Sequence, residues 1–297
     1  MSKLKNLLGP MRVPFLILAP ACVLAGLGTA VWSSGPVNGW HAVLAFLGGL
    51  CAHISVNAFN EYFDFKSGVD SRTVRTPFSG GSGTLQAHPE LAPQALATAS
   101  IAAAIVAAIG VYFFFVWGPA ILPLGILGLF VVIAYTPWFT RSPFLCLIAP
   151  GLGFGTLMVM GTDFVLTGHY SWTAFIASLV PFFLVNDLLL LNQFPDVEAD
   201  RSVSRRHYPI LIGRRASSLI YGAFLLLTYL SIVAGVVLGL LPATALFGLL
   251  TLVLAVPAAR SAYRFADDLP KLAPALGFNV LINILTPVLL AIGLFVG

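Results

Sequence analysis

The chain has 297 residues, 59% hydrophobic and 9% charged, with 15 lysines and arginines against 11 acidic residues and a formal net charge of +4. Soluble domains carry about 25% charged residues, and a mean hydropathy of +0.96 leaves more apolar surface than a soluble core can hide. Composition therefore excludes a soluble enzyme and reads as an all-α polytopic membrane protein, in which basic residues report orientation and no nucleic-acid partner is expected.

A span needs about 20 mostly apolar residues, and nine stretches qualify within a single domain covering 1–297. The basic "MSKLKNLLGPMR" leads into the first, at about 13–33. No small-residue cleavage site clearly follows, so this run is read as a span and not as a removed signal. The others lie at about 39–60, 92–115, 119–138, 144–165, 172–194, 217–238, 240–258 and 275–296. Cys22, Cys51 and Cys146 fall inside spans, are odd in number and form no CxxC, so neither a disulfide framework nor a zinc site is expected.

The basic residues test this count. With the N-terminus on the cytoplasmic side, Lys3, Lys5 and Arg12 belong to the cytoplasmic tail. Lys66, Arg72 and Arg75 follow span two, and Arg141 follows span four. Arg201, Arg205, Arg206, Arg214 and Arg215 follow span six, and Arg260, Arg264 and Lys271 follow span eight. These are all the lysines and arginines of the chain, and every one falls on the cytoplasmic side, as the positive-inside rule favours. The two long loops on that side, about 61–91 and 195–216, form the expected cytoplasmic cap of a protein of the inner (cytoplasmic) membrane and concentrate its polar chemistry on the cytoplasmic face.

Each long loop begins with amides and carboxylates. In "NAFNEYFDFKSGVD", His53, Asn57, Asn60 and Asp64 recur at helical spacing and share one face, and a turn at Gly68 returns Asp70. In "NQFPDVEADRSVSRR", Asn192, Asp196 and Asp200 are spaced by four and four, while Glu198 points elsewhere into solvent. Pro195 kinks or ends the helix between them. Asn and Asp oxygens suit Mg²⁺, which typically bridges carboxylates to substrate phosphates. The arginines that follow each segment suit phosphate oxygens, because the guanidinium fork matches them. Carboxylates, metal and arginines together at a membrane face fit a diphosphate with an apolar tail held among the spans.

Other features carry less. "SGGSGT" lacks the ending of a phosphate-binding P-loop and reads as a mobile loop able to close over substrate. Asp187 lies inside span six, where an ionisable residue is a functional candidate by default. Tyr135 and Arg141 flank "TPWFT" at the end of span four, and Arg12 opens span one as either an anchor or a substrate contact. With Asn57, Arg12 and Asp187 form the outer circle of substrate-binding candidates. His207 and Tyr208 receive no assignment.

At these residues the chain resembles the UbiA superfamily of intramembrane prenyltransferases, over nearly its whole length. The first family motif is carried by "NEYFDFKSGVD" with Asn60, Asp64 and Asp70, the second by "NQFPDVEAD" with Asn192, Asp196 and Asp200, and the tyrosine and basic residue after span four by "YTPWFTR" with Tyr135 and Arg141. The late Asp70 is similar to the branch that prenylates 1,4-dihydroxy-2-naphthoate. Glu61, Pro195 and Arg141 depart from the usual motif residues. The resemblance implies a bundle of about nine helices around a central cavity, with Mg²⁺ as cofactor. The substrates it implies are a polyprenyl diphosphate and an aromatic acceptor, either 1,4-dihydroxy-2-naphthoate or an alternative such as 4-hydroxybenzoate. By the resemblance Asn60, Asp64, Asp70, Asn192, Asp196 and Asp200 would hold the metal, Lys66, Arg72, Arg75 and Arg206 would take the diphosphate charge, and Asp64, Asp196, Tyr135 and Arg141 would be the catalytic residues; no obligatory protein partner besides the bilayer is implied. A transporter would place charges near the midplane, where only Asp187 lies, and the signature of a phosphatidyltransferase is missing.

Overall fold

The computed structural model describes residues 8–73 and 80–297. Among them there is no strand; the chain is a helical bundle. Its long helices are α1 (Leu18–Ser34), α2 (Gly39–Ser67), α3 (Ala92–Trp117), α4 (Leu122–Ala134), α5 (Pro143–Thr167), α6 (Trp172–Asn192), α7 (Arg214–Val237), α8 (Ala243–Arg264) and α9 (Leu269–Val296).

Each of the nine expected spans meets one of these segments. By length and composition, seven helical runs are able to cross a membrane, or up to eight if the bent pair Gly9–Phe15 and Leu18–Ser34, which meet at 55°, is one span. One of the seven is the 46-residue run Pro89–Ala134, which contains both α3 and α4. Gly118, at φ 74° and ψ −165°, reverses the chain between them. Phe113 and Ile121 share one apolar cluster, while Ala99 and Val132 share another near the opposite ends, so the two helices run antiparallel.

Local chemistry sets the helix ends. The Asn38 side chain accepts from the N–H groups of Trp40 and His41 to open α2, and Gly68, at φ 73°, closes it. Ser171 accepts from Ala174 N–H at the start of α6, and Asp268 accepts from Lys271 N–H at the start of α9. Within α5, Pro150 is followed by a π-helical stretch, Leu152–Leu157.

The largest apolar core joins α6 to α7, α8 and α9 around Tyr221, Leu225, Ile232, Leu272, Ile282 and Leu290. A second, smaller cluster of Leu18, Cys22, Val159, Val185 and Leu188 joins α1, α5 and α6. Large apolar side chains such as Ile101, Phe115, Leu226 and Val253 are exposed on the outside, as lipid contact requires. Between the clusters lies a cavity walled by α1 to α6 and α9. Neither α7 nor α8 lines it.

Candidate active site

The cavity has a volume of about 970 Å³. Its lining runs along α2 from Asp64 to Leu44, about 30 Å of helix at 1.5 Å per residue. One end is polar, with Asn60, Asp64, Asp70, Asn192, Asp196, Asp200, Arg12, Arg205 and His207. The other is apolar, with Leu44, Phe113, Ile121, Leu124 and Val165. Both acidic segments thus face one space although about 130 residues separate them.

The first segment behaves as its spacing implies. His53, Asn57, Asn60 and Asp64 all line the cavity from the continuous helix α2, and the left-handed Gly68 brings Asp70 back to it. The Asp70 carboxylate accepts from Gln86 Nε2 at 2.8 Å and sits against Gly81, where a Cβ would approach Oδ2 to 3.0 Å. Burial and the nearby Glu61 charge hold the Asp70 carboxyl above the usual carboxylate range. The Asn60 amide is engaged on both sides, donating to Thr136 Oγ1 at 3.2 Å and accepting from Arg12 Nη2 at 2.9 Å. Asn57 donates to the Met11 carbonyl at 3.0 Å.

In the second segment α6 ends at Asn192, a turn through Pro195 follows, and a new short helix, Val197–Arg201, carries Asp200. The helix therefore breaks at the proline, yet Asn192, Asp196 and Asp200 still reach the same cavity. The oxygen of Asn192 is buried without a hydrogen-bond partner. Glu198 is exposed and pairs with Arg201. Asp200 accepts from Arg205 Nη1 at 2.9 Å and lies 3.1 Å from His207 Nε2. Burial pushes its carboxyl up, but these two partners outweigh that and hold it below the usual range.

Arg205 is the centre of the polar end. It bridges Asp200 to Asp64, so one guanidinium ties the two segments together. Burial favours its neutral form, but the two carboxylates overcome this and raise its pKa further above the usual arginine value. Among the described residues no three His, Cys, Asp or Glu side chains form a ready-made metal cage. Hard oxygens from two sides and the unpartnered Asn192 oxygen nevertheless suit a divalent cation of the kind held by one or two carboxylates together with substrate phosphates.

The other expected residues are placed as follows. Tyr135 lines the cavity and hydrogen-bonds Cys146, whose sulfur also accepts from Gln193 at 3.3 Å. Arg141 is exposed and outside the lining. Lys66 is exposed over the Tyr62 ring, and Arg72 is exposed and donates to Ser202 Oγ at 3.0 Å. Arg206 is exposed, with its backbone N–H on the Thr140 carbonyl. None of these three lines the cavity. Arg75 lies outside the described residues. Asp187 is fully buried away from the cavity, and neither carboxylate oxygen has a hydrogen-bond partner.

Three roles escaped the sequence. Glu61 is fully buried and binds Arg12 and Ser82, acting as a strut. Through it the described part of the glycine-rich loop, from Gly80 on, is fastened at the cavity mouth and not loose above it. Arg205 was indistinguishable from Arg206 by spacing. It is selected by a turn in which Ser204 takes φ 63° and Arg205 N–H returns to the Asp200 carbonyl at 3.1 Å. His207 follows from the same turn.

Known proteins share this fold. The fold matches a UbiA homologue from Aeropyrum pernix K1 with a TM-score of 0.73, at 19% identity, over 95% of this chain and 97% of that one. A UbiA homologue from Archaeoglobus fulgidus bound to DMAPP and Mg²⁺ matches with a TM-score of 0.57, at 15% identity, over 97% and 99%. In sequence, the chain is 27% identical over 193 residues to a 1,4-dihydroxy-2-naphthoate octaprenyltransferase from Bacillus subtilis (strain 168), which is 64% of this chain and only 60% of that relative's length. The family model of the UbiA prenyltransferases matches residues 19–284. With that match across most of its length, and a helical bundle that sets two acidic segments over one cavity, the chain belongs to the UbiA prenyltransferase family.

Proposed function

We propose that this protein transfers a polyprenyl group from its diphosphate to an aromatic acceptor, with Mg²⁺ as cofactor and 1,4-dihydroxy-2-naphthoate as the acceptor. The observation that carries this reading is the cavity with carboxylates and guanidinium groups at one end and an apolar end opposite, along about 30 Å of α2 in all. That polarity matches a diphosphate with a long tail. The naphthoate acceptor is supported by the Bacillus subtilis relative and by the late Asp70.

Asn60, Asp64, Asp70, Asn192, Asp196 and Asp200 would hold the cation, and all six line the cavity. Bound Mg²⁺ supplies charge that stabilises the diphosphate as it leaves. Arg12 and Arg205, the two arginines among the described lining residues, take its remaining oxygens. Exposed Lys66, Arg72 and Arg206 lie outside the cavity and attract the anion from solution. The apolar walls exclude water from the allylic carbon, and the rings of Tyr135 and Phe154 can face a developing cation. With all Lys and Arg on one side of the expected spans, the polar end opens to the cytoplasm.

The test is an assay in membranes with prenyl diphosphates of several lengths and a panel of aromatic acids including 4-hydroxybenzoate. Mg²⁺-dependent diphosphate release with the naphthoate, lost in folded Asp64→Ala and Asp196→Ala, is the expected result. Full activity in both variants refutes the assignment of the site, and release with 4-hydroxybenzoate alone refutes the acceptor.

A further inference from the structure

Arg205 stands between two carboxylates that the proposed function gives to a metal. It bonds Asp64 on α2 and donates to Asp200 Oδ1 at 2.9 Å, and its side chain is 17% exposed within the cavity lining. His207 Nε2 occupies the other oxygen of Asp200. Two buried carboxylates brought to one place repel each other and have lost their water, so a cation between them is needed to keep the segments together. Both oxygens of Asp200 are engaged, Oδ1 by Arg205 and Oδ2 by His207, so a metal drawing on Asp200 competes with these partners. The backbone around Arg205 is irregular, from the end of Val197–Arg201 to the start of the next helical turn at Tyr208. The side chain can therefore be re-aimed without unwinding a helix.

We propose that Arg205 is an exchangeable counter-ion. It holds Asp64 and Asp200 while the site lacks donor, yields them when a metal enters together with a diphosphate, and turns its fork onto the diphosphate oxygens. Metal alone would leave Arg205 buried without a partner, which is costly. Metal with diphosphate offers it new acceptors. The site therefore takes metal and donor as a pair and binds metal alone weakly, a coupling that linkage makes reciprocal. The inference rests on the prenyl-transfer reading for the identity of the anion.

The experiment measures protein-bound Mn²⁺ by equilibrium dialysis of the purified protein, with and without methylene diphosphonate and against protein-free controls that correct for the Mn²⁺ the diphosphonate itself complexes. The wild type should bind Mn²⁺ about tenfold or more tightly when the diphosphonate is present. Arg205→Gln should bind Mn²⁺ alone more tightly than the wild type and lose most of that coupling. Arg205→Lys, which keeps the charge without the fork, should fall between them and serves if the glutamine variant does not fold. A purely structural arginine would weaken Mn²⁺ binding under both conditions. Mn²⁺ affinity that is unchanged or weaker in variants with wild-type Tm overturns the exchange. The readout needs no turnover. Coupling in a wild type that transfers no prenyl group removes the functional reading and leaves the exchange standing, whereas transfer without coupling removes the exchange alone.

Discussion

Arg12, at the start of the membrane bundle, donates from Nε to Glu61 Oε1 at 2.7 Å, and Glu61 is fully buried. Glu61 also accepts from Ser82 N–H at 2.7 Å and Ser82 Oγ at 2.9 Å. A residue standing within the first acidic motif thus fastens the N-terminal entrance and the glycine-rich loop to α2. Glu61→Ala leaves Arg12 without its ion-pair partner and should destabilise the protein by about 3–5 kcal/mol. Glu61→Gln keeps an acceptor for Ser82 and should lose less. Thermal unfolding in detergent distinguishes the two.

Asp187 is buried, its carboxylate oxygens have no hydrogen-bond partner, and it is absent from the cavity wall. Asp187→Leu should leave donor and acceptor KM unchanged and raise stability by about 1–3 kcal/mol, the scale of an unsatisfied buried polar group. A large loss of activity in a stable variant would contradict its placement outside the site.

Gly110 on α3, Gly125 and Gly128 on α4 and Gly161 on α5 line the cavity, and a Cβ built on any of them meets no atom within 4 Å. These positions leave room for a tail. Gly128→Phe would fill that room without a clash at the first carbon. It should lower kcat/KM for long donors by roughly tenfold or more while sparing short ones. A donor-length series checks this, and an equal loss for all lengths would refute it.

Asp268 caps α9 and pairs with Lys271 Nζ at 2.6 Å, and its hydrogen bond to Lys271 holds the carboxyl below the usual range. A depressed folded pKa contributes stability above the unfolded carboxylate value. That stability is lost as pH falls through the folded one. The Tm of wild type should therefore exceed that of Asp268→Asn at neutral pH by a small margin. The margin should shrink as pH falls below about 4. A gap that is constant with pH would exclude the charge as its source.

Much of the site was legible because helices carry a period. His53, Asn57, Asn60 and Asp64 lie on one face of an unbroken helix, and reading them together needed only the 3.6-residue repeat. The left-handed Gly68 and the break at Pro195 were visible as residue types with one conformational preference each. What escaped depends on turns. Sequence reading chose Lys66, Arg72, Arg141 and Arg206 and passed over Arg205, yet of these five only Arg205 is curled inward, by a serine in a left-handed conformation that no pattern announces. Asp187 looked functional because charge inside a span is costly, but depth in a span does not say whether a side chain faces a cavity or a neighbouring helix.

Gly155, in the π-helical stretch of α5, lies so close to α6 that a Cβ there would come within 2.4 Å of Phe182 N. The same helix begins near Cys146, which accepts from Gln193 just after Asn192. The two helices are clamped together at mid-height and share a hydrogen bond at the top. A single methyl group at Gly155 would act as a wedge, prying open the rim about 13 Å above it. The spacing of the reactive oxygens is thus governed from a position that touches no substrate. Variants at this glycine should alter catalysis without the replacement of any polar residue.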